Sequence, residues 1–267
     1  MINNKIVSDA IEYILLHIGE NITLEEVADH FYMSVSYFSR IFKEQTGQSV
    51  YAFIKRLKME QSAMKIKMEA ERSITDIGED YGYSASNYSV AFHRYHKKAP
   101  SSFRRGWQQA SEDTRTILQD LNAKIRIETR PEYTVMYERT IGNYKDLARA
   151  WCTFVEKYQN DIDADTIFFE RTFDDPTICN EDQCIFDICM SVKDVSKYKN
   201  ISILRAGKYA VYPFCGYLEE IYPINQQLIA IWFPASHYEL GNRYAYDQYY
   251  KVESDGYMEF DICIPLK

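Results

Sequence analysis

Two sets of side chains in this 267-residue sequence have the types and spacing to do chemistry. The first is polar and basic and occurs in two places: Ser36, Ser39, Arg40 and Lys43 in "SVSYFSRIFKEQ", then Asn87, Arg94 and Lys97 in "SASNYSVAFHRYHKK". An arginine can fork onto a guanine edge and a lysine can neutralise a phosphate. The second is a carboxylate among aromatic rings: Asp247 in "AYDQYY", with Tyr249 beside it and Tyr144, Trp151, Tyr217 and Trp232 in the same half. Ring faces attract cations and a carboxylate supplies the counter-charge, so this set suits a bulky, flat guest, cationic ones included. No cofactor motif and no nucleophile–base pair is legible. His93 and His96 stand i, i+3 but no third metal ligand accompanies them, so no metal is expected. All six cysteines lie beyond residue 150 without a CxxC pair, which reads as reduced, mostly buried thiols.

The first set needs helices to hold it, and the sequence supplies them twice. In "TLEEVADHF" Thr23 can cap a helix while Glu26 reaches back, and Leu24, Val27, Ala28 and Phe31 form one apolar stripe. Fifty residues on, "SITDIGEDY" repeats the pattern with Ser73, Asp76, Ile74, Ile77, Gly78 and Tyr81. Ser34, Phe38, Ser39 and Phe42 recur as Ser84, Tyr88, Ser89 and Phe92. Two helices joined by a short turn, with a small residue at the crossing, are a helix-turn-helix. In the first copy Phe38, Ile41 and Phe42 pack inward, which turns Ser36, Ser39, Arg40 and Lys43 outward. Between the copies, "SVYAFIKRLKMEQSAMKIKM" contains no Gly or Pro and reads as one connecting helix of four or five turns. Such a rod can hold two reading helices one DNA turn apart, roughly 34 Å.

Charge is unevenly spread. The chain is −8 overall, yet residues 36–67 hold seven Lys/Arg against two Glu, and 93–105 hold five against no acid. Short basic stripes on helices suit phosphate contact. No apolar run approaches the roughly 20 residues of a membrane helix and no signal peptide is visible, so no membrane association and a cytoplasmic location are expected.

The second half also repeats. "FDIC" occurs at 186–189 and at 260–263, an offset of 74, and Val135 and Gly142 recur as Val211 and Gly216 at nearly the same offset. Each copy opens on a strand, passes through a helical stretch holding Trp151 or Trp232, and closes on a strand pair. The reading is α+β with two domains: an all-α double helix-turn-helix domain (1–110), a linker (111–122) and a duplicated β-α-β-β domain (123–267). A concave seam between the two β-α-β-β halves is the natural ligand site.

Residues 5–107 resemble the DNA-binding domain of the AraC/XylS regulators, most clearly in "LEEVADHFYMSVSYFSRIFKEQTGQSVYAFIKRLKMEQS" and "ITDIGEDYGYS...AFHRYHKKAPSSFR". The resemblance implies that Ser36, Ser39 and Arg40 read bases. The second copy departs from the family pattern: its turn is one residue shorter than is usual in the family, Val90 stands where arginine is common, and Lys97 replaces a frequent glycine. Asn87, Arg94 and Lys97 are therefore expected to grip the DNA backbone. Residues 123–267 resemble the GyrI-like effector-binding domain in "IRIETRPEYTVMYERTIGNY", "FDDP", "AGKYAVYPFCGYLEE" and both FDIC strands. That resemblance implies a pocket carboxylate, matched by position to Asp247, where drug-binding relatives carry glutamate. Together they imply a non-enzymatic regulator whose partners are double-stranded DNA, a small amphipathic aromatic effector and RNA polymerase. The alternative is a GyrI-like hydrolase or sequestering protein acting on reactive small molecules.

Overall fold

The computed structural model describes residues 1–20, 22–107 and 112–267. They form two compact units: Met1–Gln109 together with Asp174–Cys184, and Ala110–Phe173 together with Ile185–Lys267.

The first unit is helical. α1 (Lys5–Leu16) precedes α2 (Leu24–His30) and α3 (Val35–Thr46); α4 (Val50–Met68) leads to α5 (Ile74–Asp80), α6 (Ala85–His96) and α7 (Pro100–Trp107). The Thr23–Glu26 capping box is present in full, and Ser34, Ser49 and Ser73 each accept an N–H of the first turn they cap. Both helix-turn-helix turns have the same length. Each contains one left-handed residue at the same place, Tyr32 (φ 54°) and Gly82 (φ 79°), and each second helix ends on another, Gly47 (φ 72°) and Lys97 (φ 58°). At the helix crossing Gly78 lies so close to Tyr88 that an added Cβ would meet its ring at 2.7 Å, whereas copy one places Ala28 and Phe38 at the matching positions.

α4 is not the solvated basic stripe that its composition suggests. Arg56, Lys58, Glu60 and Lys67 are buried. Lys58 Nζ donates to the carbonyls of Glu20 and Tyr81, both at 3.0 Å, and so ties the α1–α2 connection to the end of α5. Arg56 pairs with Glu60 at 2.8 Å, and Tyr95 of α6 donates to Glu60. Polar side chains on α4 thus orient both helix-turn-helix copies, since a buried charge is stable only where its partners are placed.

The second unit begins with α8 (Glu112–Lys124), which occupies the described part of the stretch expected as linker. It continues through β1 (Arg126–Arg130), β2 (Tyr133–Gly142), α9 (Leu147–Tyr158), β3 (Phe168–Thr172), β4 (Cys184–Ser191), β5 (Ile201–Leu204), β6 (Gly207–Gly216) and α10 (Leu218–Gln227). A π turn, Leu228–Trp232, follows, and β7 (Tyr246–Val252) and β8 (Met258–Pro265) close the chain. The strand order β1-β6-β8-β7-β3-β4-β2-β5 sets two β-α-β-β copies side by side, joined where β3 pairs antiparallel with β7. One sheet face packs Val135, Tyr137, Phe169, Cys189, Tyr209, Val211, Tyr246 and Cys263 together. The other face meets α9 through Met136, Phe154, Ile188 and Met190.

Both FDIC aspartates are buried and matched with arginines. Asp187 accepts from Arg139 and Arg171 at 2.6–2.8 Å, and Asp261 accepts from Arg126 and Arg130 and from the Tyr250 hydroxyl. The repeated motif therefore sets charge-matched positions in the sheet.

Lys97 carries a left-handed cost that Gly47 avoids. Lys97→Gly is expected to raise stability by roughly 1 kcal/mol, read as a higher urea midpoint for the helical unit.

Candidate functional site

In the second unit β3 and β7 run antiparallel with Phe168 opposite Tyr249, Phe169 opposite Gln248 and Glu170 opposite Asp247. In the two hairpins Arg171 faces Asp187 and Gln248 faces Asp261, so Glu170 and Asp247 occupy equivalent places in the two copies. They meet at the junction of the halves, on the α9 side of the sheet.

Glu170 is only 3% exposed. Its Oε2 accepts from the Trp151 indole N–H at 2.8 Å and from the Tyr249 hydroxyl at 3.2 Å. Trp151 projects from α9, packs edge-on against Tyr249 (5.2 Å) and Phe168 (6.1 Å), and Tyr249 stacks on Phe260 at 4.7 Å. Asp247 is half-buried beside Glu170.

These two carboxylates differ from the other buried acids. Glu60, Glu138, Asp175, Asp187 and Asp261 each have a lysine or arginine partner. Among the described residues no cation pairs with Glu170 or Asp247. Burial raises the Glu170 carboxyl to about 7, against an ordinary value of 4.5, with the two hydrogen bonds opposing the shift. Burial, then the nearby Glu170 charge, holds the Asp247 carboxyl well up, and burial raises the Tyr249 hydroxyl in the same way. The arrangement is an aromatic-lined carboxylate pair with room for one positive charge in its electrostatics.

Of the residues picked out in the sequence, Asp247, Trp151 and Tyr249 converge here. Tyr144 packs on Phe186 and donates to the Ile185 carbonyl at 3.5 Å. Tyr217 is exposed beside Tyr257 and Asp255, and buried Trp232 donates to Asn122 of α8 while stacking on Tyr238. The donors to Glu170 are Trp151 and Tyr249. Glu170 itself was missed, although it mirrors Asp247 in the second copy.

In the first unit, Ser36, Arg40 and Lys43 are exposed on α3 and Ser39 is half-buried. Arg40 is held over the Tyr37 ring at 5.2 Å and pairs with Glu44 at 3.1 Å, an exposed contact that a stronger partner can replace. On α6, Asn87 and Arg94 are exposed with Val90, which is 61% exposed, between them on the same face. The Lys97 ammonium donates to the Arg94 carbonyl at 2.9 Å. His93 is exposed, whereas His96 turns inward to the Met59 carbonyl and the Phe92 and Phe103 rings, so the two do not face one ligand.

A family model described as a helix-turn-helix domain matches residues 27–106, and one described as a GyrI-like small molecule binding domain matches residues 123–267, more than half of the chain. The regulatory protein SoxS of Escherichia coli K12 is 31% identical over 105 residues, covering 39% of this chain and 97% of SoxS. The chain belongs to the AraC-type and GyrI-like families. The regulatory protein PocR of Salmonella typhimurium is 32% identical over 106 residues, 39% of this chain and 34% of PocR. The chain thus spans about a third of the length of PocR. A chain from an EcmrR–DNA complex aligns over 88% of this chain and 85% of its own, with 11% identity and a TM-score of 0.46. In this AraC-type, GyrI-like chain, no described helix is long and apolar enough to cross a membrane.

The pH dependence of the GyrI-like half follows from Glu170. Folding raises its pKa, so its stabilising contribution is complete below about pH 4.5 and is lost as pH rises through about 7. Glu170→Gln accepts the same two hydrogen bonds without ionising. In urea unfolding of the full chain it is expected to match the parent at pH 4 and to exceed it by roughly 3 kcal/mol at pH 8.

Proposed function

We propose that the protein is a DNA-binding transcription regulator whose GyrI-like half senses a hydrophobic, aromatic cation at Glu170 and Asp247. The observation that carries this reading is buried Glu170 paired across the strands with half-buried Asp247, with no cation partner among the described residues, under the rings of Trp151, Tyr249, Phe168 and Phe260. A cation entering there would replace the proton on Glu170 and take over the place of the indole N–H. The aromatic walls would add cation–π attraction in a site of reduced polarity.

The duplicated helix-turn-helix supports the DNA-binding part. Its first copy offers Ser36, Ser39 and Arg40 for base edges and Lys43 for phosphate; the second offers Asn87, Arg94 and Lys97 for the backbone. RNA polymerase as a further partner, cytoplasmic action and absence of enzymatic turnover belong to the same proposal. The likeness of the first unit to SoxS and PocR, both regulatory proteins by name, supports it.

Two experiments test it. Tetraphenylphosphonium binding to the full chain, followed by tryptophan fluorescence, should tighten as pH rises from 6 to 7.5 and then level off, because the proton on Glu170 must leave. Glu170→Gln and Asp247→Asn should each weaken binding about tenfold or more and flatten that profile. Equal affinity for neutral triphenylphosphine oxide, with no pH dependence for either compound, would exclude the charge-selecting site.

For DNA, Arg40→Ala should weaken binding to a duplex selected by the protein from a random pool by roughly ten- to a hundredfold and relax its base preference. Unchanged affinity and preference would remove Arg40 from the reading face.

A further inference from the structure

The connection between β3 and β4 groups with the other unit: Asp174–Cys184 belongs to the helical unit, although β3 ends at Thr172 and Cys184 is already the first residue of β4. This strap is tightly wound around Asp175. One carboxylate oxygen accepts the Thr177 N–H and hydroxyl at 2.8 and 2.6 Å, and the Asp175 carbonyl accepts the N–H groups of Ile178 and Cys179 at 2.8 and 3.0 Å. At the far end the Cys179 and Cys184 sulfurs lie 3.1 Å apart.

The other Asp175 oxygen is fixed to α4. Lys67 Nζ donates to it at 2.6 Å and to Thr177 Oγ1 at 3.0 Å, and sits 3.7 Å over the Trp107 ring. Both charged side chains are sealed from solvent, with 0% and 1% exposure. Lys67 stands in the last turn of the helix that separates the two helix-turn-helix copies. A buried ion pair contributes little net stability against an apolar substitute, but it enforces one arrangement, since separating the charges leaves each stranded without water.

The strap starts four residues beyond Glu170, two residues past the end of β3. We infer that it is the route by which occupancy of the Glu170–Asp247 site alters DNA binding, with Lys67 and Asp175 as the positioning pair. This inference rests on the effector reading above. A cation that takes the place of the Trp151 hydrogen bond on Glu170 changes what holds β3. The wound strap is too short and too internally bonded to absorb a shift of β3, so the shift reaches α4 through Asp175. Coupling of this kind needs a contiguous element with two arrangements, and the strap is the segment common to the sensor strand and the helical unit.

The test uses the full chain, tetraphenylphosphonium as the cation and a duplex selected by the protein from a random pool. In the parent, saturating cation is expected to change amide hydrogen exchange in residues 174–184 and 64–68 by about threefold or more. Unchanged exchange in both segments would overturn the inference. Lys67→Met combined with Asp175→Asn removes both charges while leaving an acceptor for Thr177. It is expected to bind cation and DNA separately within about twofold of the parent, while the ratio of DNA Kd values with and without cation falls to about one. Thr177→Val, a milder change, should reduce that ratio partway. If the double variant keeps the parent's ratio, the strap is not the route, and the effector reading stands. If the parent binds cation with a ratio of one, the regulator reading itself fails and takes the strap with it.

Discussion

The sensor half depends on three residue pairs. Phe168–Tyr249, Phe169–Gln248 and Glu170–Asp247 are the register that joins two β-α-β-β copies into one sheet. Because the copies occupy equivalent places about this junction, any residue type present in both at that position must confront its own counterpart. Here the residues are acidic. Like charges directly opposite in an antiparallel pair oppose folding, and burial adds to that cost. The structure offsets it with an indole N–H and a phenol, and burial raises the Glu170 carboxyl toward its neutral form; none of these is a permanent positive charge.

Elsewhere the protein treats buried acids differently. Asp187 and Asp261, the repeated motif positions, sit under paired arginines, and on α4 Glu60 has Arg56. These matched groups specify strand register and helix orientation and have no capacity left for a guest. Glu170 and Asp247 are placed opposite each other with no lysine or arginine partner among the described residues, a departure from that rule of the kind at which a function is expected to show.

The helical half was legible because its signals are local. The capping residues, the stripe of small and apolar positions and the offset of fifty can be read without knowing any tertiary contact, and α3 and α6 follow from them. The basic character of α4 misled, since composition cannot reveal that the carbonyls of Glu20 and Tyr81 converge on Lys58. Glu170 escaped for a related reason. From Glu170 to Asp187 is 17 residues, whereas Asp247 to Asp261 is 14. The longer connection, which forms the strap, breaks the repeat where alignment would have exposed the acidic partner. Aromatic content pointed to the right half of the chain but could not separate Trp151, on the carboxylate, from Trp232, on α8.

The contact between Gly78 and Tyr88 bears on how the duplicated helices diverged. A methyl group fits at Ala28 beside Phe38, but the same methyl at residue 78 would lie 2.7 Å from the Tyr88 ring. At this point the second pair of helices packs the Tyr88 ring into the space that a methyl group would fill. Copies that share one pattern have settled into different packings at the crossing, each dependent on the size of one residue. Transplanting a single recognition helix between them would carry the wrong packing with it. The unit of exchange is the whole helix pair, and each copy has become free to evolve its own fit to its own groove.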